Sequence, residues 1–168
     1  MNRRTFLTRG LAAGAVVAAT STHAAESTPE TNKTLARRFT LEAWGTGNAA
    51  LLDELLCPGF VNHNPFPGTA GNREGEKQAI TMHSTAMVDR QATVDDLIAE
   101  GDKVAARYSF SATHKGKFLG VAPTGKRVKI TGINIYRIER GKIVELWRQV
   151  DVVGMLQQLG VAPPGEKK

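Results

Sequence analysis

The hydrophobic period of the chain changes once, after Asp89, and this change limits the folds that the sequence can adopt. Before it, apolar residues recur every three or four positions, which predicts helices over 35–44, 49–56 and 74–87. After it, β-forming residues dominate and predict strands over 92–99, 103–113, 127–138 and 142–150, with a last helix at 152–159. Helices followed by a strand meander predict an α+β domain, with helices packed on one face of a curved antiparallel sheet.

The N-terminal residues have the pattern of an export signal. Arg3 and Arg4 precede an uncharged, Ala/Gly-rich stretch over 10–20, and small residues end it at Ala24 or Ala25. We interpret 1–25 as a twin-arginine signal, which would direct the folded protein to the periplasm or the exterior. An N-terminal membrane anchor is the alternative. Residues 26–33 are polar and predicted to be a disordered linker, followed by one domain over 34–160 and a flexible tail over 161–168.

Charge and cysteine content exclude several classes of function. The formal net charge is +6, and without Arg3, Arg4 and Arg9 the mature chain carries about +3. The remaining basic residues alternate with acidic ones, so no nucleic-acid partner is expected. The single cysteine, Cys57, excludes an internal disulfide and follows an apolar run, which favours a buried thiol over a nucleophile.

Familiar catalytic motifs are missing from the sequence. Gly120 to Lys126 has the spacing of a phosphate-binding loop, but Arg127 follows in place of Ser or Thr, and a strand is predicted where that motif needs a helix. The sequence also contains no Gly-x-Ser-x-Gly, His-Glu-x-x-His or Cys-x-x-Cys. These absences argue against phosphate-loop, serine-hydrolase, zincin and dithiol chemistry.

A set of short motifs is spread over almost the whole mature chain. The motifs are Phe60-Val-Asn-His63-Asn-Pro65, Glu74-Gly-Glu-Lys77, the Asp96 to Arg107 segment, Thr113-His114-Lys-Gly116, Pro123-Thr-Gly-Lys126, Tyr136 to Trp147 with its Glu-Leu-Trp ending, Asp151, and Leu156-Gln-Gln-Leu-Gly160. Each motif is weak alone, and the combination is specific. The combination resembles the SnoaL-like polyketide cyclase or ester cyclase family of the nuclear-transport-factor-2-like superfamily.

The resemblance implies a cone made by a bent sheet and covering helices, with a deep apolar pocket, frequent dimers and no cofactor. It also implies that the aspartate after the Glu-x-Trp strand, Asp151 here, is a general acid/base in an intramolecular aldol ring closure. Such a carboxylate needs a pKa raised by desolvation. Asp151 also precedes the predicted 152–159 helix, where an N-cap would stabilise the ionised form, and the two roles stay open.

The histidines are further candidates. By resemblance His63 lies at the pocket mouth and could hold a ligand oxygen, or it is a surface residue. His114, in the Thr-His-x-Gly motif, is either a pocket donor or a strand-end residue. His83 lies three residues after Ile80 on the apolar stripe of its helix, so it points inward as a core histidine or a pocket residue.

Three strand residues complete the candidate substrate-binding set. Asn134 and Tyr136 share one face of a predicted strand and could present polar groups to a ligand or complete the core. Trp147 lies four residues before Asp151, on the same side of an extended strand. The histidines and Asp151 include no ligand pair at i, i+4, so no metal is expected.

The function that follows is cofactor-independent acid/base chemistry, by a cyclase, isomerase or lyase, on a hydrophobic carbonyl-bearing small molecule. Two alternatives remain. One is a noncatalytic binder of small apolar ligands in the cell envelope, and the other is a hydrolase built on the same cone. The expected partners are a small hydrophobic ligand and a second copy of the chain, with no membrane-spanning segment in the mature form.

Overall fold

The computed structural model describes residues 27–161, which form the predicted helices and strands in the predicted order. The α+β prediction is confirmed. The elements are α1 (Pro29–Arg38), which continues as a π-helical turn (Phe39–Gly45); a 3₁₀ turn (Ala49–Leu51) leading into α2 (Leu52–Leu55); β1 (Leu56–Asn62); α3 (Arg73–Ala86); β2 (Met87–Glu100); β3 (Lys103–His114); β4 (Arg127–Glu139); β5 (Lys142–Val150); and α4 (Val152–Leu159).

The five strands form one sheet in the order β1-β5-β4-β3-β2. Strands β2 to β5 are the predicted antiparallel meander, and β1 adds to the edge in parallel with β5. The prediction of a wholly antiparallel sheet is therefore wrong at this edge. The reason is that β1 has no hairpin partner in the chain, since α3 follows it, and it pairs with the free edge that the meander leaves at β5.

Irregular pairing bends the sheet around the helices. The β2–β3 register shifts between Val88 and Gln91 and again between Val94 and Asp96. Asp89, inside the first irregularity, has a positive φ of 51°. Because bulges kink a strand and increase its twist, the long strands β2 and β3 curve instead of lying flat.

Buried apolar side chains form two clusters on the inner face of the sheet. Strand β4 shows the alternation clearly, since its even-numbered residues from 128 to 138 are buried and most of its odd-numbered residues are exposed. The first cluster joins α1, the π-helical turn, α2 and β1, and includes Phe39, Leu52, Leu55, Phe60 and Ile80. The second lies towards α4 and includes Phe110, Phe118, Ile130, Met155 and Leu159.

Helix α1 begins earlier than the sequence suggested. Residues 29–33, predicted to be linker, are helical. Thr28 and Thr31 form a reciprocal capping box, Pro29 occupies the first turn, and Asn32 is buried. The linker prediction is wrong for these residues because the cap satisfies the free N–H groups of the first turn, which composition alone does not reveal.

The predicted export signal over 1–25 lies outside the described residues, as does the predicted tail beyond Val161. In the part of the chain that the structure covers, no helix is long and apolar enough to span a membrane.

Candidate functional site

A cavity of about 300 Å³ lies between the inner face of the sheet, the π-helical turn, α3 and α4. Most of its wall is apolar, and its polar groups are few. The apolar wall includes Phe66, Phe110, Phe118, Leu119, Ile130 and Met155, and the polar groups include Thr40, His83, Tyr108, Asn134 and Arg148. A concave apolar site with a few convergent polar groups is the usual form of a small-molecule site.

The π-helical turn supplies one wall. Thr40 and Trp44 lie four residues apart on it, and both line the cavity. π-helical turns inside α-helices are rare and occur frequently at functional sites.

Glu76 organises the polar wall from behind. It belongs to the first turn of α3, it is buried, and three side chains donate hydrogen bonds to its carboxylate. Trp44 Nε1 donates to Oε1 at 2.8 Å, Asn62 Nδ2 donates to Oε2 at 2.9 Å, and Arg148 Nη2 donates to Oε1 at 2.5 Å. Its acceptor positions are therefore largely used within the protein, which makes Glu76 a positioning residue for Trp44 and Arg148.

Arg148 carries a buried positive charge at the cavity wall. Its side chain is 9% exposed, and its Cζ lies 4.5 Å from the centroid of the Trp44 ring. Although burial opposes the charge, the Glu76 carboxylate raises the pKa of Arg148 above its ordinary value. Among the described residues the guanidinium donates only to Glu76, so its other N–H groups remain available to a ligand.

His83 faces the cavity from α3 and stays neutral. Burial, together with the charges of Arg90 and Arg148, lowers its pKa to about 3. Its ring makes edge contacts with the rings of Trp44, Phe110 and Phe118 at centroid distances of 5.6, 4.9 and 5.4 Å. Nδ1 is buried without a hydrogen-bond partner in residues 27–161, which is unusual for a buried polar atom.

Asn134 and Tyr136 share the inner face of β4, as predicted. Asn134 lines the cavity and its Nδ2 donates to the Tyr136 hydroxyl at 2.8 Å, while its Oδ1 is buried without a partner among the described residues. Tyr136 lies behind the wall, where its hydroxyl is 3.1 Å from Thr40 Oγ1. Burial raises the pKa of Tyr136, so its hydroxyl stays protonated. Tyr136 therefore completes the core and orients Asn134.

Tyr108 depends on a glycine across the sheet. It pairs with Gly132 between β3 and β4, and a Cβ built on Gly132 would lie 2.5 Å from the Tyr108 hydroxyl. The glycine thus leaves room for the tyrosine ring over the strand at the cavity wall. Burial raises the pKa of Tyr108 as well, so this hydroxyl can donate.

Asp151 occupies the N-cap of α4. Its Oδ1 accepts a hydrogen bond from the Gly154 N–H at 2.8 Å, and the residue is exposed. Its neighbours in the chain, Val150 and Val152, both line the cavity, so Asp151 lies beside the rim. The structure thus shows the capping role, and the acid/base role stays a prediction.

His63 and Trp147 lie on the outer face of the sheet, away from the cavity lining. Their rings stack with centroids 4.5 Å apart, and His63 Nε2 lies 2.6 Å from Glu145 Oε2. Hydrogen bonds from His63 and Arg137 lower the pKa of Glu145. The neighbouring β5 residues Leu146 and Arg148 point inward, which places Trp147 outward.

His114 is fully buried at the end of β3 and does not line the cavity. The Thr124 N–H donates to its Nδ1 at 3.3 Å, so the ring anchors the loop over 115–126. This loop leads directly into β4, which agrees with the exclusion of a phosphate-binding motif.

The structure therefore brings together His83 and Asn134 from the predicted set, with Tyr136 directly behind them. It adds Glu76, Arg148 and Tyr108, which the sequence analysis missed. A signal for Glu76 was present, because it lies three and four residues before Ala79 and Ile80 on the inward stripe of α3. A carboxylate at an inward helical position needs a buried partner.

Comparison with known proteins decides the family. The family model for SnoaL-like polyketide cyclases matches residues 34–159. The chain belongs to this family. The resemblance seen in the sequence is thereby confirmed, and no curated protein matches the chain.

Several solved structures share the fold. TsrD from Streptomyces laurentii is 32% identical, with 81% of this chain and 99% of that chain covered and a TM-score of 0.73. IdmH from Streptomyces antibioticus, a proposed polyketide cyclase, is 37% identical, with 79% and 99% covered and a TM-score of 0.66. AclR from Streptomyces galilaeus, a proposed hydroxylase, is 28% identical, with 83% and 91% covered and a TM-score of 0.71. The same fold thus carries more than one proposed reaction.

Proposed function

We propose that this SnoaL-like protein binds a hydrophobic, carbonyl-bearing small molecule in the cavity and acts on it by cofactor-independent acid/base chemistry. The observation that carries the proposal is that His83 and Asn134, which line a largely apolar cavity, each hold a buried polar atom, Nδ1 and Oδ1, without a hydrogen-bond partner among the described residues. Unsatisfied buried polar groups cost free energy, which a ligand with matching oxygen groups would recover.

The reaction that fits is an intramolecular aldol closure. A base removes a proton from the carbon next to one carbonyl, the enolate carbon attacks a second carbonyl carbon, and the new alkoxide takes up a proton. No atoms are gained or lost. The Arg148 guanidinium and the neutral His83 ring would stabilise the negative oxygen, because donors in a water-poor site act strongly on developing charge. With a pKa of about 3, His83 is a poor base and a suitable neutral donor.

Asp151 is the proton carrier that we propose. It lies between Val150 and Val152, which both line the cavity. Asp and Asn stabilise a helix about equally well at the N-cap position. Asp151→Asn should therefore keep the free energy of unfolding nearly unchanged while turnover falls about a hundredfold or more. Asp151→Ala should lose turnover and also about 1 kcal/mol of stability. Unchanged turnover in Asp151→Asn would show that Asp151 only caps α4.

Ligand capture tests the cavity itself. Protein purified from its source cells, or exposed to an extract of them, should retain a small apolar molecule that mass spectrometry identifies. Val152→Trp should block the cavity, since Val152 lines it. Val153→Trp is the matched control, because Val153 is the next residue of α4, is exposed and does not line the cavity. If both variants retain the ligand equally, the ligand binds outside this cavity.

One observation favours the noncatalytic alternative. No carboxylate is present among the described residues that line the cavity, and Glu76 behind it already accepts three hydrogen bonds. A binder needs no proton carrier. The two functions separate on the captured ligand, because an enzyme would convert it into an isomer of equal mass and a binder would return it unchanged.

We also propose that two copies pair through the outer face of the sheet. Strand register places Ile98, Ala105, Ile135 and Trp147 in one row across four strands, and Ile98 and Ile135 are 64% and 41% exposed. A contiguous exposed apolar row of this kind marks an interaction surface. Ile135→Glu should give monomers in sedimentation velocity, whereas Thr131→Glu, an exposed position of β4 outside the row, should not. A monomeric native protein at tens of micromolar would overturn the pairing.

Export through the twin-arginine route remains our proposal for localisation and rests on the sequence alone. Replacing Arg3 and Arg4 with lysine should retain the precursor inside the cell, as followed by fractionation. If the double variant is found outside the cytoplasm with its signal removed, the twin-arginine route is excluded.

A further inference from the structure

One end of the sheet carries the rim of the cavity. Strands β1, β3 and β5 run in the same direction, because β1 is parallel to β5 and both β3 and β5 are antiparallel to β4. The segments that follow these strands, 63–72, 115–127 and α4, therefore leave the sheet at one end. Each of them lines the cavity, through Pro65, Leu119 and Val152 respectively. These three segments form the mouth of the cavity.

Apolar side chains are exposed at the mouth, on α4 and directly after it. Met155 and Leu159 pack into the core, whereas Val152, Val153 and Val161 are 39%, 64% and 51% exposed. Val152 also lines the cavity, so the cavity meets the surface beside it. Val153 neither lines the cavity nor joins an apolar cluster of the described residues, so its exposure serves neither the core nor the proposed ligand. Neighbouring exposed apolar side chains indicate an interaction surface.

The loop beside α4 is basic. The sequence contains no acidic residue between Asp102 and Glu139. Within that interval, four exposed basic residues belong to the mouth: Lys115, Lys117, Lys126 and Arg127. Lys126 Nζ donates to the Leu159 carbonyl oxygen at 3.2 Å, which joins this loop to the end of α4. Basic and apolar side chains therefore border each other at the mouth.

The positive charge of the mouth is only partly compensated. Lys115 and Lys117 form no ion pair with any residue that the structure describes. The carboxylates at the neighbouring strand ends are those of Asp89 and Asp151, and the latter already accepts a hydrogen bond from the Gly154 N–H. Four cationic side chains beside two carboxylates leave the mouth with a net positive charge.

We propose that the mouth docks on an anionic lipid bilayer. Val152 and Val153 enter the apolar side of the interface, and Lys115 and Lys117 lie against the phosphate groups of the lipids. Apolar side chains flanked by lysines are typical of surfaces that bind such an interface. The charge alone would also suit an acidic protein, but the exposed valines need an apolar partner, which the acyl chains supply. The docking rests on the proposed function in one consequence only: an apolar ligand would pass between the bilayer and the cavity without crossing water.

Sedimentation with vesicles measures the docking. The full-length chain is mixed with vesicles of phosphatidylcholine alone, or of phosphatidylcholine and phosphatidylglycerol in equal parts. It should bind the anionic vesicles about tenfold or more tightly than the neutral ones, and added sodium chloride should reduce this preference. All variants keep residues 1–26 unchanged, so a difference between variants belongs to the substituted positions.

Paired charge variants locate the contact. Lys115→Gln/Lys117→Gln should weaken binding to the anionic vesicles about twentyfold, because each basic residue near an anionic membrane contributes about fivefold in affinity. Lys103→Gln/Arg140→Gln is the matched control, since both residues are exposed at turns on the opposite end of the sheet and the change in net charge is the same. Its affinity should stay within about twofold of native. Equal weakening in both double variants would mean that net charge alone acts, and would overturn the docking of the mouth.

Quenching by brominated acyl chains tests whether the valines enter the bilayer. On anionic vesicles that contain brominated lipid, Val153→Trp should lose fluorescence. Ile98→Trp should not, because Ile98 is equally exposed, at 64%, but lies at the opposite end of the sheet. Trp44 and Trp147 give the same background in both variants.

Three results would contradict the docking. If Val153→Trp is not quenched although binding still needs the lysines, the mouth recognises charge alone, as on an acidic protein, and the bilayer is the wrong partner. Equal quenching of Val153→Trp and Ile98→Trp would show that the chain binds without a defined orientation. Equal affinity for neutral and anionic vesicles would also overturn the inference. None of these results affects ligand capture in the cavity, which tests the proposed function separately.

Discussion

At the scale of single residues, the Glu76–Arg148 pair decides how the polar wall of the cavity is held. Its two side chains come from α3 and β5, and both are almost completely buried. The pair also fixes Trp44, which donates to the same Glu76 oxygen as Arg148. Loss of either charge would therefore disturb the packing of both the helices and the sheet.

Removing one member of the pair should destabilise the protein strongly. Glu76→Leu or Arg148→Met leaves a buried charge unpaired, and we expect each to lower the free energy of unfolding by about 3–5 kcal/mol. The double variant Glu76→Leu/Arg148→Met should lose much less than the sum of the two. Urea denaturation of all four proteins measures this coupling. Losses that simply add would mean that the two charges do not interact.

His83 should make the stability depend on pH. Its pKa is about 3 when folded and about 6.5 when unfolded, so between these values the unfolded chain binds a proton that the folded chain does not. Stability should therefore fall as the pH drops below about 6.5, by about 1.4 kcal/mol per pH unit from this group. The measurement is urea denaturation at pH 7, 6 and 5, with His83→Gln as the reference. Parallel profiles for the two proteins would contradict a buried neutral His83.

The residues that sequence analysis could find were those fixed by local periodicity. His83 and Asn134 face inward because of their positions on a helix stripe and a strand face, and the structure agrees. Trp147 was a candidate ligand contact, but it points outward beside His63 and does not line the cavity. Arg148, its neighbour, takes the inward position instead, and its partner Glu76 is 72 residues away in the chain. Such pairing depends on tertiary contacts that one sequence does not display.

At the scale of elements, α4 continues the sheet where β5 ends. The Asp151 N–H donates to the Thr131 carbonyl oxygen, and the Gln158 side chain then pairs with the backbone of Lys129 in both directions. The Lys129 N–H donates to Gln158 Oε1 and Gln158 Nε2 donates to the Lys129 carbonyl oxygen, both at 2.8 Å. The Gln158 side chain thus makes the two hydrogen bonds that a neighbouring strand would make with Lys129. These bonds hold α4, with Met155, over the cavity.

Gln158→Ala should loosen this contact. We expect a loss of about 1 kcal/mol and faster hydrogen exchange at the Lys129 amide, because that N–H loses its acceptor. Gln158→Glu keeps an acceptor and is the matched control, so it should restore most of the protection. Equal exchange at Lys129 in the native protein and Gln158→Ala would show that the contact does not hold α4.

The ends of helices and strands could be predicted where the sequence contains capping or turn residues. Helix α4 occupies 152–159 as predicted, because Asp151 caps it and Gly160, at a φ of 83°, ends it. The start of α1 and the parallel pairing of β1 were missed. The first depends on a capping box within a polar segment, and the second on which edge of the meander stays free.

At the scale of the whole molecule, the curved sheet, the helices and two separate apolar clusters leave a cavity with a polar end. The family and the fold could be predicted from motifs spread along the chain, and the model match over 34–159 confirms the family. The polar end of the cavity could not be predicted, since its side chains come from four separate elements: the π-helical turn, α3, β4 and β5. The central claim is that this polar end supports proton transfer at a carbon next to a carbonyl.

Deuterium exchange tests that claim without knowledge of the natural substrate. 2-Tetralone is small, apolar and enolisable, and its exchange in D₂O is followed by mass spectrometry as added deuterium. The protein should accelerate the exchange about a hundredfold or more over buffer. Val152→Trp should abolish the acceleration, Val153→Trp should keep it, and Asp151→Asn should reduce it about a hundredfold. If the native protein binds 2-tetralone and the exchange rate equals that of buffer, the chain is a binding protein and the catalytic account is wrong.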